Sequence, residues 1–303
     1  MHMHSTAASS YALWSRWMSA LRQEISLSWQ FVVRDLSSAF VPPLLFMIAA
    51  WSDQPIAVDQ FLLSLGRGAL LFAFYVYTFC VANQINGLEE DLLNKPYRPL
   101  AAGIVSLQGV QIRWLTSMMI YTALGWQFGV LEWVLLWQAV TVLHNFWGWS
   151  RHWFTKNLSM ALGIIAQLAC AWQLIAPTPP AAWRWILLMS VVIFSLVALQ
   201  DLRDIVGDRA IGRRTLPLVL GETRTRGLLA LGFALLPLVL HFWLLAPAHV
   251  VGMLMLYSAA LAAFSWIVAA RVWLYRTPHA DHRTYMLFTY IYCAILATAI
   301  VAL

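Results

Sequence analysis

Charge is scarce in this chain: only 11% of its 303 residues are Asp, Glu, Lys or Arg, while 61% are hydrophobic. Soluble domains carry about 25% charged and about 45–50% apolar residues, so an ordinary soluble domain is excluded, as are collagen-like and disordered chains. Cysteine is scarcer still. Cys80, Cys170 and Cys293 are odd in number, lie in apolar stretches and have no CxxC spacing. That excludes a disulfide framework and a thiolate metal site and leaves them as small packing residues. The eight histidines include no transmembrane pair placed to ligate one haem, which sets electron transfer aside. Paired broken helices near mid-membrane, the mark of many transporters, are absent too. Met1 to Gln30 lacks a basic start followed by a clean apolar core and a small-residue cleavage site, so no cleavable signal stands out.

Long apolar runs are what the chain has in abundance. They fall near residues 32–51, 67–88, 106–129, 131–148, 158–176, 183–203, 227–246, 249–272 and 284–303. One crossing takes about 20 apolar residues, so nine would use ~180, close to the hydrophobic share of the whole chain. The expectation is an all-α, polytopic membrane protein of nine transmembrane helices in one domain, residues 32–303. Residues 1–31 form a cytosolic or interfacial segment, with Tyr11 to Trp29 read as an amphipathic helix at the membrane surface. Pro42 and Pro43 interrupt the first run and Pro237 the seventh; membrane helices tolerate proline where neighbours satisfy the freed carbonyls.

The basic residues orient this arrangement. Seventeen of the nineteen lie in the N-terminal segment or in loops 2–3, 4–5, 6–7 and 8–9, and only Arg67 and Arg184 lie on the other face. Such asymmetry places the first face in the cytosol; a bacterial plasma membrane and an endoplasmic reticulum fit equally. No nucleic-acid partner is expected.

Six of the thirteen acidic residues stand in two clusters, Glu89, Glu90 and Asp91, and Asp201, Asp204 and Asp208. Both follow even-numbered spans, so both emerge on one face. Ionisable groups at membrane depth are costly and mark functional sites. On a continuous helix Asp201, Asp204 and Asp208 fall at roughly 0°, −60° and −20°, and Asn83, Asn86, Glu90 and Asp91 at roughly 0°, −60°, −20° and +80°. Glu89 points away. Carboxylates sharing a stripe repel and raise one another's pKa unless a cation lies between them, and hard oxygen donors suit Mg²⁺ held jointly with substrate phosphates. Lys95 and Arg98 follow the first cluster, and Arg209, Arg213 and Arg214 the second. Fixed cations beside an acid–metal site fit a diphosphate.

The stretches NQINGLEEDLLNKPYRPLAA (Asn83 to Ala102) and QDLRDIVGDRAIGRRTLPLVLG (Gln200 to Gly221) resemble the UbiA superfamily of intramembrane prenyltransferases. That resemblance implies a helical bundle around a lipid-open central cavity, in which a Mg²⁺-bound isoprenoid diphosphate ionises to an allylic cation. Carried over position by position, Asn83 and Asp91 keep the ends of the first motif and Asp201, Asp204 and Asp208 supply the second. Lys156 resembles the family's diphosphate-contacting basic position. The first motif departs from the common NDxxDxxxD, because Gln84 and Gly87 replace its inner aspartates; Glu90 and Asn86 are the nominated substitutes. The NQxxxxxED form, NKPxRP after it and HWFTKN at His152 to Asn157 resemble the branch that includes UbiA-type terpene cyclases. The implied substrates are farnesyl or geranylgeranyl diphosphate, with an aromatic acceptor if the reaction is transfer instead. Pocket candidates are Phe72, Tyr75 and Phe79 on span two, and His144 and Asn145 near the end of span four. Tyr285, Tyr290 and Tyr292 on span nine are further possibilities.

Overall fold

The computed structural model describes residues 3–247 and 251–303, and apart from one bridge between His152 and Arg214 it holds no strand among them. The helices run in order α1 (Met3–Val32), α2 (Leu36–Asp53), α3 (Val58–Asn86), α4 (Leu88–Asn94), α5 (Leu107–Gln127), α6 (Leu131–Asn145), α7 (Trp153–Gln173), α8 (Pro180–Leu196), α9 (Ile205–Ala210), α10 (Leu216–Leu220), α11 (Glu222–Leu240), α12 (Val251–Leu274) and α13 (Pro278–Ala302). Their starts are chemically marked. The Ser106 and Thr277 hydroxyls accept from the amides of Gly109 and Ala280 to cap α5 and α13. Pro180 and Pro278 stand in the first turns of α8 and α13, where the missing N–H costs nothing.

Every apolar run overlaps a helix, but the nine expected spans are not equal. Among the described residues, seven helices are long and apolar enough to cross a membrane. Those of the third and fourth runs, α5 and α6, fall short for different physical reasons. α5 carries Gln108, Gln111, Arg113 and Thr116 among its 21 residues, and α6 has 15 residues, about 22 Å of helix against a hydrocarbon core of about 30 Å. The expected start of the eighth run, at 249, lies outside the described residues.

The prolines are answered by neighbours. Pro43 leaves the Ala39 carbonyl without its helical donor, and Gln167 Nε2 of α7 donates to it at 2.6 Å. Pro237 does the same to Phe233, whose carbonyl accepts the Ser265 hydroxyl of α12 at 2.6 Å. Beyond Pro237, α11 loosens into a π-helical turn over His241–Leu245.

Pairwise packing closes the helices into a ring: α2 on α3, α3 on α5 and α6, α6 on α7, α7 on α8, α8 on α11, α11 on α12, α12 on α13, and α13 back on α2. Arg226 of α11 clamps the last part of it. Its guanidinium donates to both carboxylate oxygens of Asp281 at 2.8 Å and to the Val272 carbonyl at 2.9 Å, with both side chains 1% exposed. Removing one partner of such a buried pair costs about 3–5 kcal/mol. Between α2 and α7 the core is sealed by Phe46 and Trp172, both fully buried, with ring centroids 5.0 Å apart.

Outside the ring, α1 turns a stripe of Trp14, Trp17, Leu21, Ile25 and Trp29 away from the protein, all more than half exposed. Spacings of three and four put these residues on one helical face. Its other side is tied to the bundle by Glu24, which accepts from Arg113 at 2.6 Å, and by Phe31, edge-on to Tyr77.

Candidate active site

The ring encloses a cavity of ≈ 230 Å³ whose two ends differ in chemistry. At one end lie Asn83, Glu90, Lys95, Arg98, Lys156, Asp204 and Arg213. At the other, Tyr75, Trp137, Phe288 and Tyr292 make an aromatic lining. The face of α7 shows the gradient on one element: Lys156, Met160, Ile164 and Gln167 line the cavity at spacings of four, four and three. The drop from Lys156 to Gln167 is eleven residues, or about 16 Å.

Local breaks in the helices shape the charged end. α3 stops at Asn86, and after Gly87 the short α4 carries Glu90 and Asp91 inward, both nearly fully buried. Past α8 the chain tightens into a 3₁₀ turn over Val197–Leu202 before α9. The loops before α7 and after α9 are stitched together by backbone bonds from Arg214 N to Arg151 O (2.7 Å) and from Trp153 N to Arg214 O (2.9 Å). Gly212, at φ +71°, supplies the left-handed residue this return needs. The stitching brings Arg213 and Lys156 to one site.

Ion pairs then join the two acidic clusters. Arg213 Nη1 lies 2.8 Å from Glu90 Oε2 and donates to Asp208 Oδ1 at 2.9 Å, so one guanidinium bridges the motifs. Lys156 Nζ meets Asp201 Oδ1 at 2.5 Å, Lys95 lies 3.6 Å from Glu90, and Arg203 pairs with Asp204 at 3.4 Å. Arg98 Nη1 lies 2.9 Å from both oxygens of Asp91. Burial pushes the Asp91 carboxyl above its ordinary range, against the opposing pull of Arg98. Burial also works against the charge on Arg213, but Glu90 and Asp208 outweigh it and hold its pKa above the usual value.

Not every residue singled out from the sequence reaches this site. Asn86 ends α3 exposed, because the helix that would carry it beside Glu90 breaks at Gly87. Asp204 lines the cavity and is part-exposed, whereas Asp201 and Asp208 are fully buried and, like Asp91, do not border it. The three second-motif aspartates do not share one stripe, because the helix is broken between the 3₁₀ turn ending at Leu202 and α9 beginning at Ile205. Arg209 faces outward on α9. Phe72 is buried in the core, and Asn145 donates to the Thr141 carbonyl at 2.9 Å; neither borders the cavity. Tyr75, Phe79, His144, Tyr285 and Tyr292 do border it, and Tyr290 is exposed on the outside of α13.

Sequence reasoning missed Trp137, Gln167 and Asp35, all of which line the cavity. Trp137 stands seven residues before His144, two turns along the same face of α6, and Gln167 shares the stripe of Lys156 on α7; those spacings were the available signal. Asp35 has no ion pair within 4 Å among the described residues; its Oδ2 accepts from the Cys80 thiol at 3.6 Å.

A profile of the UbiA prenyltransferase family matches residues 40–292. The chain belongs to that family. Among its UbiA-family relatives, the somaliensene A/B synthase of Streptomyces somaliensis is 41% identical over 93% of this chain and 94% of its own length. The diterpene cyclase eriG of Hericium erinaceus is 36% identical over 91% and 88%. A solved UbiA homologue from Archaeoglobus fulgidus, bound to GPP and Mg²⁺, superposes with a TM-score of 0.69 at 14% identity, covering 91% of this chain and 99% of that one. Family membership and the seven apolar helices make this an integral, multi-pass membrane enzyme.

The donor set suits a hard divalent cation. Asp201 Oδ2 and Asp208 Oδ2 are buried carboxylate oxygens with no hydrogen-bond partner, each on a residue whose other oxygen meets a cationic side chain. Among the described residues no three acidic, His or Cys side chains converge on one point. A Mg²⁺ ion at such a site would take part of its shell from these oxygens and the rest from phosphate oxygens and water, its usual habit.

Proposed function

We propose that this chain is a Mg²⁺-dependent terpene cyclase that ionises a farnesyl or geranylgeranyl diphosphate in the central cavity and folds the resulting cation into a cyclic product. The observation that carries this reading is the 41% identity to a terpene synthase along almost the whole of both chains. The two-ended cavity supports it. Nine crossings, with α5 and α6 completing the seven longer spans, would place the charged end at the cytosolic face, with the cavity open to lipid. α1 would lie in the interface with its tryptophan stripe in lipid.

Asp201, Asp204 and Asp208, with Asn83 and Glu90, would hold Mg²⁺, which supplies Lewis-acid assistance to the departing diphosphate. Lys95, Arg98, Lys156 and Arg213 orient that diphosphate and neutralise it as the C1–O bond breaks and its electron pair leaves with oxygen. The allylic cation is left facing Tyr75, Phe79, Trp137 and Phe288, whose ring faces attract positive charge. Loss of a proton or capture of water ends the sequence.

The family's name favours a second reading, transfer of the prenyl group to an aromatic or quinone-precursor acceptor. Purified protein incubated with Mg²⁺ and geranyl, farnesyl or geranylgeranyl diphosphate without acceptor separates the two. A chelator-sensitive cyclic hydrocarbon or alcohol is expected. Product formed only after aromatic acceptors are added would move the chain to the transferase reading, and silence in both assays would refute catalysis.

A further inference from the structure

One wall of the cavity is a continuous aromatic stack. Tyr75 and Trp137 lie face to face, with centroids 4.1 Å apart and planes 8° from parallel; Phe79 stacks on Trp137 at 5.1 Å and meets the His144 ring at 5.1 Å with the planes tilted by 48°. All four line the cavity. The indole cannot swing freely, because its Nε1–H donates to the Tyr75 carbonyl at 2.9 Å. Behind the stack stands Gly163, in the interior of α7. Glycine there costs about 1 kcal/mol against alanine, so a reason in packing is needed. A Cβ at this position would lie 2.5 Å from Trp137 Cζ3, 3.1 Å from Cη2 and 2.8 Å from the Tyr75 hydroxyl. Ordinary carbon contacts need about 3.5–4.0 Å, so the stack would have to move by roughly 1 Å. The stack borders the cavity and is tethered to α3, so a side chain pressing on it from α7 displaces it toward the cavity.

We infer that Gly163 is a specificity-determining residue: by leaving room for the Tyr75–Trp137 stack against α7, it sets the width of the cavity and hence the prenyl chain length that fits. This rests on the cyclase reading above. A side chain at 163 narrows the gap between the stack and the facing Phe288 and Tyr292 of α13, so longer chains lose more than shorter ones. One methylene's worth of misfit in an apolar pocket changes selectivity about 10-fold or more.

The test compares wild type, Gly163→Ala and Gly163→Ala/Trp137→Phe on geranyl, farnesyl, geranylgeranyl and geranylfarnesyl diphosphates, reading kcat/KM for diphosphate release. Melting temperature and elution profile are measured in parallel. Gly163→Ala should lower the ratio of the preferred chain to the next shorter one about 10-fold. The second substitution, which deletes the indole ring atoms that the new Cβ meets and leaves only its contact with the Tyr75 hydroxyl, should restore most of it. A folded Gly163→Ala protein with the wild-type ratio would overturn the inference. If Gly163→Ala does not fold, Trp137→Phe alone decides: it should shift preference toward longer chains, and an unchanged ratio refutes the role. A wild type that releases no diphosphate from any of the four would count against the cyclase reading instead. Binding of the corresponding unreactive thiolodiphosphates to the same proteins would then read the cavity width by the same ratios.

Discussion

The two acidic motifs face one cavity, yet they spend their oxygens differently. In the second, Asp201 and Asp208 each give one oxygen to a cation, Lys156 or Arg213, and keep the other buried and unpartnered. In the first, Arg98 occupies both oxygens of Asp91, and Glu90 is shared between Lys95 and Arg213. The difference teaches that losing two aspartates from the first motif, at Gln84 and Gly87, need not abolish metal binding. On the proposed reading the second motif keeps unpartnered oxygens for the metal, while the first holds the cations that would meet the diphosphate.

Four substitutions would sharpen or break this contrast. Asp208→Asn removes a free donor and should lower diphosphate release on the order of 10³-fold, the upper range for loss of an electrostatic contact to developing charge. Activity within a few-fold of wild type would end the assignment. Arg98→Ala strands the buried Asp91 carboxylate, and should cost about 3 kcal/mol of stability in denaturant unfolding; the double variant with Asp91→Asn should recover most of it. Glu90→Gln should raise the Mg²⁺ concentration for half-maximal activity about 10-fold, and an unchanged magnesium titration would remove Glu90 from the metal's surroundings. Asn86→Ala should leave turnover within about 2-fold, because the side chain is exposed away from the cavity. A large loss there would restore the continuous-helix picture of the motif.

That last residue shows how far the sequence could be read. Helix positions were legible because apolar runs must match the bilayer, and each run overlaps a helix. The shortness of α6 was hidden, since a run of apolar residues does not show where a helix ends, whereas the polar residues that weaken α5 stood in plain view in the sequence. Charge marked the region: of the charged residues the sequence singles out, Glu90, Lys95, Arg98, Lys156, Asp204 and Arg213 reach the cavity, while Asp91, Asp201 and Asp208 are buried away from its lining and Arg209 faces outward. Angular arithmetic at 100° per residue failed where its premise failed, at the break after Asn86 and at the break over Arg203 and Asp204 between the 3₁₀ turn and α9. Prolines at 43 and 237 announced that neighbours must supply donors, but that Gln167 and Ser265 do so is a matter of tertiary contact. Trp137 stayed hidden among seventeen tryptophans, most of them equally suited to a membrane interface.

The contrast between the motifs is tested most directly by titrating Mn²⁺, a paramagnetic stand-in for Mg²⁺, into purified wild type, Asp208→Asn and Glu90→Gln proteins and following bound metal by electron paramagnetic resonance. The expected result is a bound-metal signal in wild type, loss of it in Asp208→Asn, and weakened but retained binding in Glu90→Gln. Undiminished binding in Asp208→Asn together with loss in Glu90→Gln would contradict the account.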